Sequence, residues 1–407
     1  MSFGAQGDLG IGPFARLRAL LDGVPPGTTP EEAINMTIGE PRHPPPSFVL
    51  QYLSQAALAD DNSYGRYPPI GGLEGWRSAV SGWLTRRFGV SALFVSDHQI
   101  LPVSGTREGL FLLAQLARPD TAGKTRMAMP NPFYQVYAAA ALAAGAAPLY
   151  LNATAATGFL PDLDAPTDED YDSLRAFFMC SPANPQGAVA PADYLDRLLG
   201  LAAKHDFLVI MDECYADIYD RALEAEPPVS ALQVAAARPE KAENLVVFHS
   251  LSKRSNLPGL RSGFCAGGER IMEAFYGFRL IAGPQTPIAT LNAAALAWGD
   301  DDHAAASRAL YQEKFDLAES LLGGRYGFYR PQGGFFLWLD VGDGVAAAQQ
   351  LWQQAGLRVL PGAYLSRDTQ NGNPGDAYIR LALVDPPQKT EAALLKLREC
   401  LDENGVK

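Results

Sequence analysis

Lys253 stands in a stretch that packing does not require: Ser250, Ser252, Lys253, Gly259, Arg261 and Gly263 follow directly on the apolar run 245–249. A lone lysine is ordinarily a solvated surface group. At the end of a buried strand, between hydroxyls and near a second cation, its ammonium gives up a proton more readily and becomes a nucleophilic amine. Asp212 is a second candidate, because it follows the apolar run 207–211 without a break and precedes Tyr215. A carboxylate at the inner end of a strand needs a partner, which either a ligand cation or a helix N-terminus supplies. Ser104, Gly105 and Thr106 separate an apolar run from a helix-period segment. Free N–H groups and a positive dipole end there suit a phosphate, and an ordinary helix cap fits the same residues. Tyr134, with Phe133 one position away, lies shortly after a strand end, where an aromatic face can stack on a flat ring or simply fill core. Asn184 sits in a turn fixed by Pro182, Pro185 and Gly187. Arg380 interrupts the apolar run 378–384, and alternation sets it opposite Ile379 and Leu381. Both an edge-strand surface arginine and a buried anion clamp remain open for it.

The elements that must position these groups are short apolar runs alternating with helix-period segments, the pattern of an α/β fold with a parallel sheet. Strands are expected at 99–103, 125–129, 147–151, 176–180, 207–211, 245–249 and 262–266, with helices at 107–117, 132–145 and 193–205. Beyond Gly283 and Pro284 a long alanine-rich helical stretch, 287–322, opens a compact α+β segment with strands at 334–341 and 378–384 and helices at 345–355 and 389–403. The expected organisation is a segment 1–46 that joins the small domain, a large cofactor-binding domain 47–284 and a small C-terminal domain 285–407.

A chain of 407 residues exceeds the roughly 250–300 at which single cores stop growing, so two cores are expected. The net charge of −12 repels phosphate backbones, and no basic run offsets it, so nucleic acid is not an expected partner. Cys180, Cys214, Cys265 and Cys400 show no paired spacing, and buried free thiols in a reducing cytoplasm are expected. No secretory pattern opens the chain and no apolar run approaches the roughly 20 residues that span a bilayer, so neither export nor a membrane anchor is expected.

The spacing Ser-x-Ser-Lys, five residues, Gly-x-Arg-x-Gly at 250–263 resembles that of the class I/II aminotransferases, enzymes of fold type I that depend on pyridoxal 5′-phosphate. The resemblance implies an aspartate aminotransferase-like fold: a large domain with a mostly parallel seven-stranded sheet flanked by helices, and a smaller α+β domain. It implies Lys253 as the residue that carries the cofactor as a Schiff base and shuttles protons. It places the phosphate on Ser104, Gly105, Thr106, Ser250 and Arg261, with Tyr67 reaching over from a partner subunit, and counts Ser252 among the cofactor-binding residues. Tyr134 would stack on the pyridine ring, Asp212 would hold its nitrogen protonated, and Asn184 and Tyr215 would bond its phenolic oxygen. Gly39, Asn184 and Arg380 would bind the substrate carboxylate. A homodimer with shared active sites follows from Tyr67, and no metal is implied.

Segments 38–44, 130–137, 250–264, 311–315 and 359–365 are similar to the proteobacterial N-succinyldiaminopimelate aminotransferases of lysine and cell-wall biosynthesis. That resemblance implies glutamate as amino donor, leaving as 2-oxoglutarate, and N-succinyl-2-amino-6-oxopimelate as acceptor. The acceptor's distal anionic arm needs further cations, and Arg42, His43 and Arg254 lie in segments that approach the site. Surface salt bridging is the other reading of the two arginines. The same residues also serve aspartate, alanine or aromatic transamination, and carbon–sulfur β-elimination; a non-catalytic binding protein is a further class, opposed by the intact lysine, aspartate and arginine.

Overall fold

The computed structural model describes residues 12–29, 31–56, 63–90, 97–118 and 123–406, so the first eleven residues of the N-terminal segment lie outside it. Seven strands form the main sheet: β1 (Ile100–Val103), β2 (Arg126–Asn131), β3 (Ala147–Asn152), β4 (Leu174–Cys180), β5 (Leu208–Asp212), β6 (Leu245–Ser250) and β7 (Gly263–Gly267). Their order is β1-β7-β6-β5-β4-β2-β3. β7 runs antiparallel to both neighbours and the other pairings are parallel. Every strand lies within two residues of its expected run, because strands covered on both faces read as nearly continuous apolar segments.

Helices cover both faces. On one, α2 (Thr106–Leu116) and α3 (Gln135–Ala143) bury Leu110, Leu113, Val136 and Tyr137 against Met127, Phe178, Ile210 and Phe248. On the other, α1 (Glu74–Phe88) and α4 (Ala192–His205) bring Trp76, Trp83, Leu195 and Leu198 to Phe177, Met211, Val247 and Phe264. Between β6 and β7 the chain leaves the sheet, forms the four-residue helix α5 (Leu251–Arg254), and returns so that Ser250 pairs with Gly263.

The alanine-rich stretch is two helices, α6 (Ile288–Gly299) and α7 (Asp302–Leu322), and not one continuous run. Asp300 turns to extended backbone and its side chain accepts from His303 N–H at 2.9 Å, which ends one helix and caps the next. α6 buries Leu291, Ala294, Ala297 and Trp298 in the core beneath the large sheet. Tyr311, Phe315 and Leu322 of α7 belong to a second core, shared with β8 (Phe336–Asp340), α8 (Gly344–Ala355), β9 (Tyr378–Ala382) and α9 (Pro387–Glu403). We therefore propose a domain boundary at Asp300 and Asp301 in place of one near Pro284. Placing the N-terminal segment with the small domain is supported by the pairing of Ile34–Asn35 with Leu357–Arg358, and by Leu17 and Leu21 packing on Trp338, Trp352 and Leu360. Among the described residues no helix is long and apolar enough to cross a membrane.

Candidate active site

A cavity of about 450 Å³ opens where the C-terminal ends of β4, β5 and β6 meet the small domain. Its wall brings together Gly39, Thr106, Tyr134, Asn184, Asp212, Tyr215, Ser250, Ser252, Lys253, Arg261 and Arg380. Ser104 and Gly105 stand just behind this wall. Tyr67 is 92% exposed and lies off the cavity of its own chain.

Lys253 projects from α5 into the cavity, where Nζ donates to Gly39 O. Burial lowers its pKa to about 8, and Arg380 adds to the effect. Gly39 has no room for a side chain, since a Cβ there would sit 2.4 Å from Phe336 Cζ. The lysine amine is thus held against bare backbone.

Asp212, the last residue of β5, is 6% exposed. Its Oδ2 accepts from the Tyr137 hydroxyl at 2.8 Å and its Oδ1 from Cys214 N–H at 3.2 Å. Burial raises its pKa, because among the described residues no cation forms an ion pair with it. A protonated ring nitrogen would supply that missing charge. Tyr137 carries no sequence expectation, although it lies three residues beyond Tyr134, in the first turn of α3. It stacks on Phe178 with centroids 4.9 Å apart, so its hydroxyl is fixed. Tyr215 is buried against Phe335 and Phe336, and burial pushes its phenol well up.

One end of the cavity gathers the residues expected to hold an anion. Gly105 has φ +88°, and a Cβ on it would fall 1.9 Å from Arg261 Nη2, so the turn before α2 admits the guanidinium only because this residue is glycine. Arg261 is steadied by donating to Pro258 O at 3.0 Å and Ser104 O at 3.4 Å. Ser250 Oγ accepts from Ser252 N–H at 3.1 Å, and Thr106 Oγ1 lies 3.1 Å from Cys214 Sγ. Glu108 accepts from Ser104 N–H at 3.1 Å and pairs with Arg279, which sets the turn from below.

At the other end, Arg380 is 5% exposed. It donates to Thr37 O at 2.6 Å and Asn184 Oδ1 at 3.2 Å, and its buried Nε has no partner. Among the described residues it makes no ion pair, and burial lowers its pKa to about 10. The arginine is therefore buried and is not an edge-strand surface residue. Phe336 packs against its guanidinium at 4.3 Å.

Two arginines expected near a distal substrate arm do not face the cavity. Arg42 pairs with Asp385, and Arg254 is buried and bonded to Asp217 and Asp301. His43 Nε2 lies 2.7 Å from Lys314 Nζ, and burial lowers its pKa to about 4. Their partners are remote in sequence, so no local pattern shows them. The cavity has instead Arg107, whose Nε donates to the Tyr134 hydroxyl at 2.7 Å. Position one residue into α2, directly after the phosphate-type turn, was its available signal. Among the described residues no cluster of His, Cys, Asp and Glu suited to a metal occurs.

A lysine amine, and a buried carboxylate and a buried guanidinium that have no ion-pair partner among the described residues, gather at the C-terminal edge of a mostly parallel sheet, where α/β enzymes bind their ligands. A family model described as aminotransferase class I and II matches residues 31–393, and the chain belongs to that family. The chain is 33% identical over 375 residues to an LL-diaminopimelate aminotransferase of Dehalococcoides mccartyi (strain ATCC BAA-2266 / KCTC 15142 / 195), covering 90% of this chain and 91% of the relative. A solved aminotransferase from Neisseria meningitidis Z2491 superposes with TM-score 0.91 at 36% identity, covering 98% and 99% of the two chains. A probable N-succinyldiaminopimelate aminotransferase from Thermus thermophilus superposes with TM-score 0.79 at 25% identity, covering 95% and 97%. The aspartate aminotransferase-like fold is therefore the fold of this chain. Enzymes of the family use pyridoxal 5′-phosphate and act on amino and 2-oxo acids. The donor set suits that cofactor: an anion cradle at Gly105, a carboxylate lacking a cation at Asp212, and a lysine amine between them.

Proposed function

We propose that this transaminase exchanges glutamate for 2-oxoglutarate and aminates N-succinyl-2-amino-6-oxopimelate, working as a cytoplasmic homodimer. The carrying observation is the buried Arg380, which has no carboxylate partner among the described residues and faces the same cavity as the Lys253 amine. When bound, the cofactor supplies an aldehyde for the substrate amine and an electron-withdrawing ring. Ser104, Gly105, Thr106, Ser250, Ser252 and Arg261 hold its phosphate, and Tyr67 reaches the phosphate in the partner subunit's site. Asp212 keeps the proton on the ring nitrogen, Tyr134 covers the ring, and Asn184 and Tyr215 bond its phenolic oxygen. Arg380 and Asn184 hold the substrate carboxylate beside Gly39. Lys253 Nζ, neutral above about pH 8, would be the base that takes the proton from substrate Cα and the acid that returns it. Arg107 is the cavity cation for the distal carboxylate.

The succinylated substrate is supported by the motif segments 38–44, 130–137 and 250–264 and by the likeness to the Thermus thermophilus protein. A second reading, LL-diaminopimelate itself, is supported by the Dehalococcoides mccartyi relative and by Glu40 on the cavity wall, a carboxylate able to meet a free ammonium. Free thiols at all four cysteines fit a reducing compartment. The test adds N-succinyl-LL-diaminopimelate or LL-diaminopimelate to the holoenzyme without any 2-oxo acid and follows the visible absorbance. Rapid bleaching by the succinylated donor alone supports the first reading, and bleaching by the free diamine alone replaces it with the second. Release of pyruvate from a cysteine conjugate without an acceptor would instead mark a lyase.

A further inference from the structure

The three residues after Lys253 all turn away from the cavity and bond to one place, the joint between α6 and the first turns of α7. Arg254 is 4% exposed and uses all five of its N–H donors. Nε donates to Asp217 Oδ2 at 2.7 Å, Nη1 to Ala297 O at 2.8 Å and His303 Nε2 at 3.3 Å, and Nη2 to Asp300 O at 3.0 Å and Asp301 Oδ1 at 2.7 Å. Ser255 Oγ lies 2.8 Å from His303 Nε2, whose Nδ1 lies 2.6 Å from Asp300 Oδ1. Asn256, at φ +51°, donates through Nδ2 to Ser307 Oγ at 3.1 Å. Asp217 is shared with Arg87 of α1 at 3.1 Å, so the knot joins the large domain's helix layer as well.

The helix carrying Lys253 is only four residues long and has too few internal bonds to hold its own orientation. What orients it must come from outside. We infer that Arg254, Ser255 and Asn256 are positioning residues that fix Lys253 Nζ by tying its helix to the α6–α7 joint, and are not part of the substrate pocket. The spent donors of Arg254 leave none for a substrate, and a lysine with three donors cannot replace the fork. The inference rests on the reading of Lys253 as the cofactor's lysine.

The test uses the holoenzyme with pyridoxal 5′-phosphate and compares Arg254→Lys, Ser307→Ala and a control, Arg86→Ala. Arg86 bonds Trp298 O and Asp301 at the same joint without touching α5. A small displacement of a reacting group costs rate steeply. Arg254→Lys is therefore expected to lower kcat in the glutamate half-reaction about tenfold, with KM within about twofold, and to release the cofactor about tenfold faster on dilution. Ser307→Ala moves both quantities the same way by about twofold to threefold, and Arg86→Ala moves neither. A lower Tm with wild-type kcat and cofactor release in both Arg254→Lys and Ser307→Ala overturns the inference, as does a rise confined to KM. If Arg254→Lys does not fold, Ser307→Ala decides by the same measures. Absence of visible absorbance in the wild type with cofactor would remove the reading of Lys253 and the inference with it.

Discussion

Arg380 is held by two neutral acceptors, Thr37 O and Asn184 Oδ1, and no carboxylate among the described residues balances its charge. Arg380→Lys keeps the charge and loses the fork. A hydrogen bond to a charged group is worth about 1.5–3 kcal/mol, so kcat/KM for glutamate should fall about a hundredfold, mostly through KM. An unchanged KM would remove Arg380 from the substrate's carboxylate. Lys253 makes a pH prediction, because burial lowers its pKa from 10.5 to about 8. The cofactor-free protein should take up pyridoxal 5′-phosphate faster as pH rises, with half-maximal rate near pH 8, and a midpoint near 10 in stopped-flow absorbance would contradict it. Lys253, Asp212 and Arg380 stand out in the sequence because each is a charge set into or after an apolar run, where burial is costly unless something answers it. Arg254 carries the same signal but is answered by Asp217 and Asp301, so charge in a buried setting marks a need for a partner without saying whether that partner is protein or ligand.

Among elements, the seven strands are legible because both faces are covered, and their bounds shift by no more than two residues. The break between α6 and α7 is not, because an alanine-rich helix is apolar nearly all round and its composition does not say which core it joins. The pairs Asp300 with His303 and Arg254 with Asp301 decide it. α7 also carries a buried cost. Lys314 is fully buried, donates to Leu383 O at 3.0 Å, and has its pKa lowered to about 8 by burial. The unfolded chain then binds this proton more tightly. Its burial costs stability below about pH 8, and the cost is relieved as pH rises from about 8 towards 10.5. Lys314→Met should flatten the rise in Tm of the cofactor-free protein over that window, and calorimetry showing the wild-type slope would refute it.

At the scale of the molecule, Tyr67 reads as serving a second subunit, since it stands exposed and off its own cavity. Lys253→Ala and Tyr67→Ala dimers should each be impaired, yet hybrids of the two place both changes in one site and leave the other whole. Random mixing should restore about a quarter of wild-type activity, half the dimers carrying one of two sites. No recovery on co-expression would argue against shared sites. The antiparallel strand β7 has one more consequence. Because Ser250 pairs with Gly263, Lys253 and Arg261 lie on a single short excursion closed at its base by the ladder. Loop closure over so few residues costs little entropy, whereas Asp212 and above all Arg380 join the same cavity across long stretches of chain. During folding, therefore, Lys253 and Arg261 are expected to meet as soon as two neighbouring strands zip together, and Arg380 is expected to arrive last, when the two cores dock.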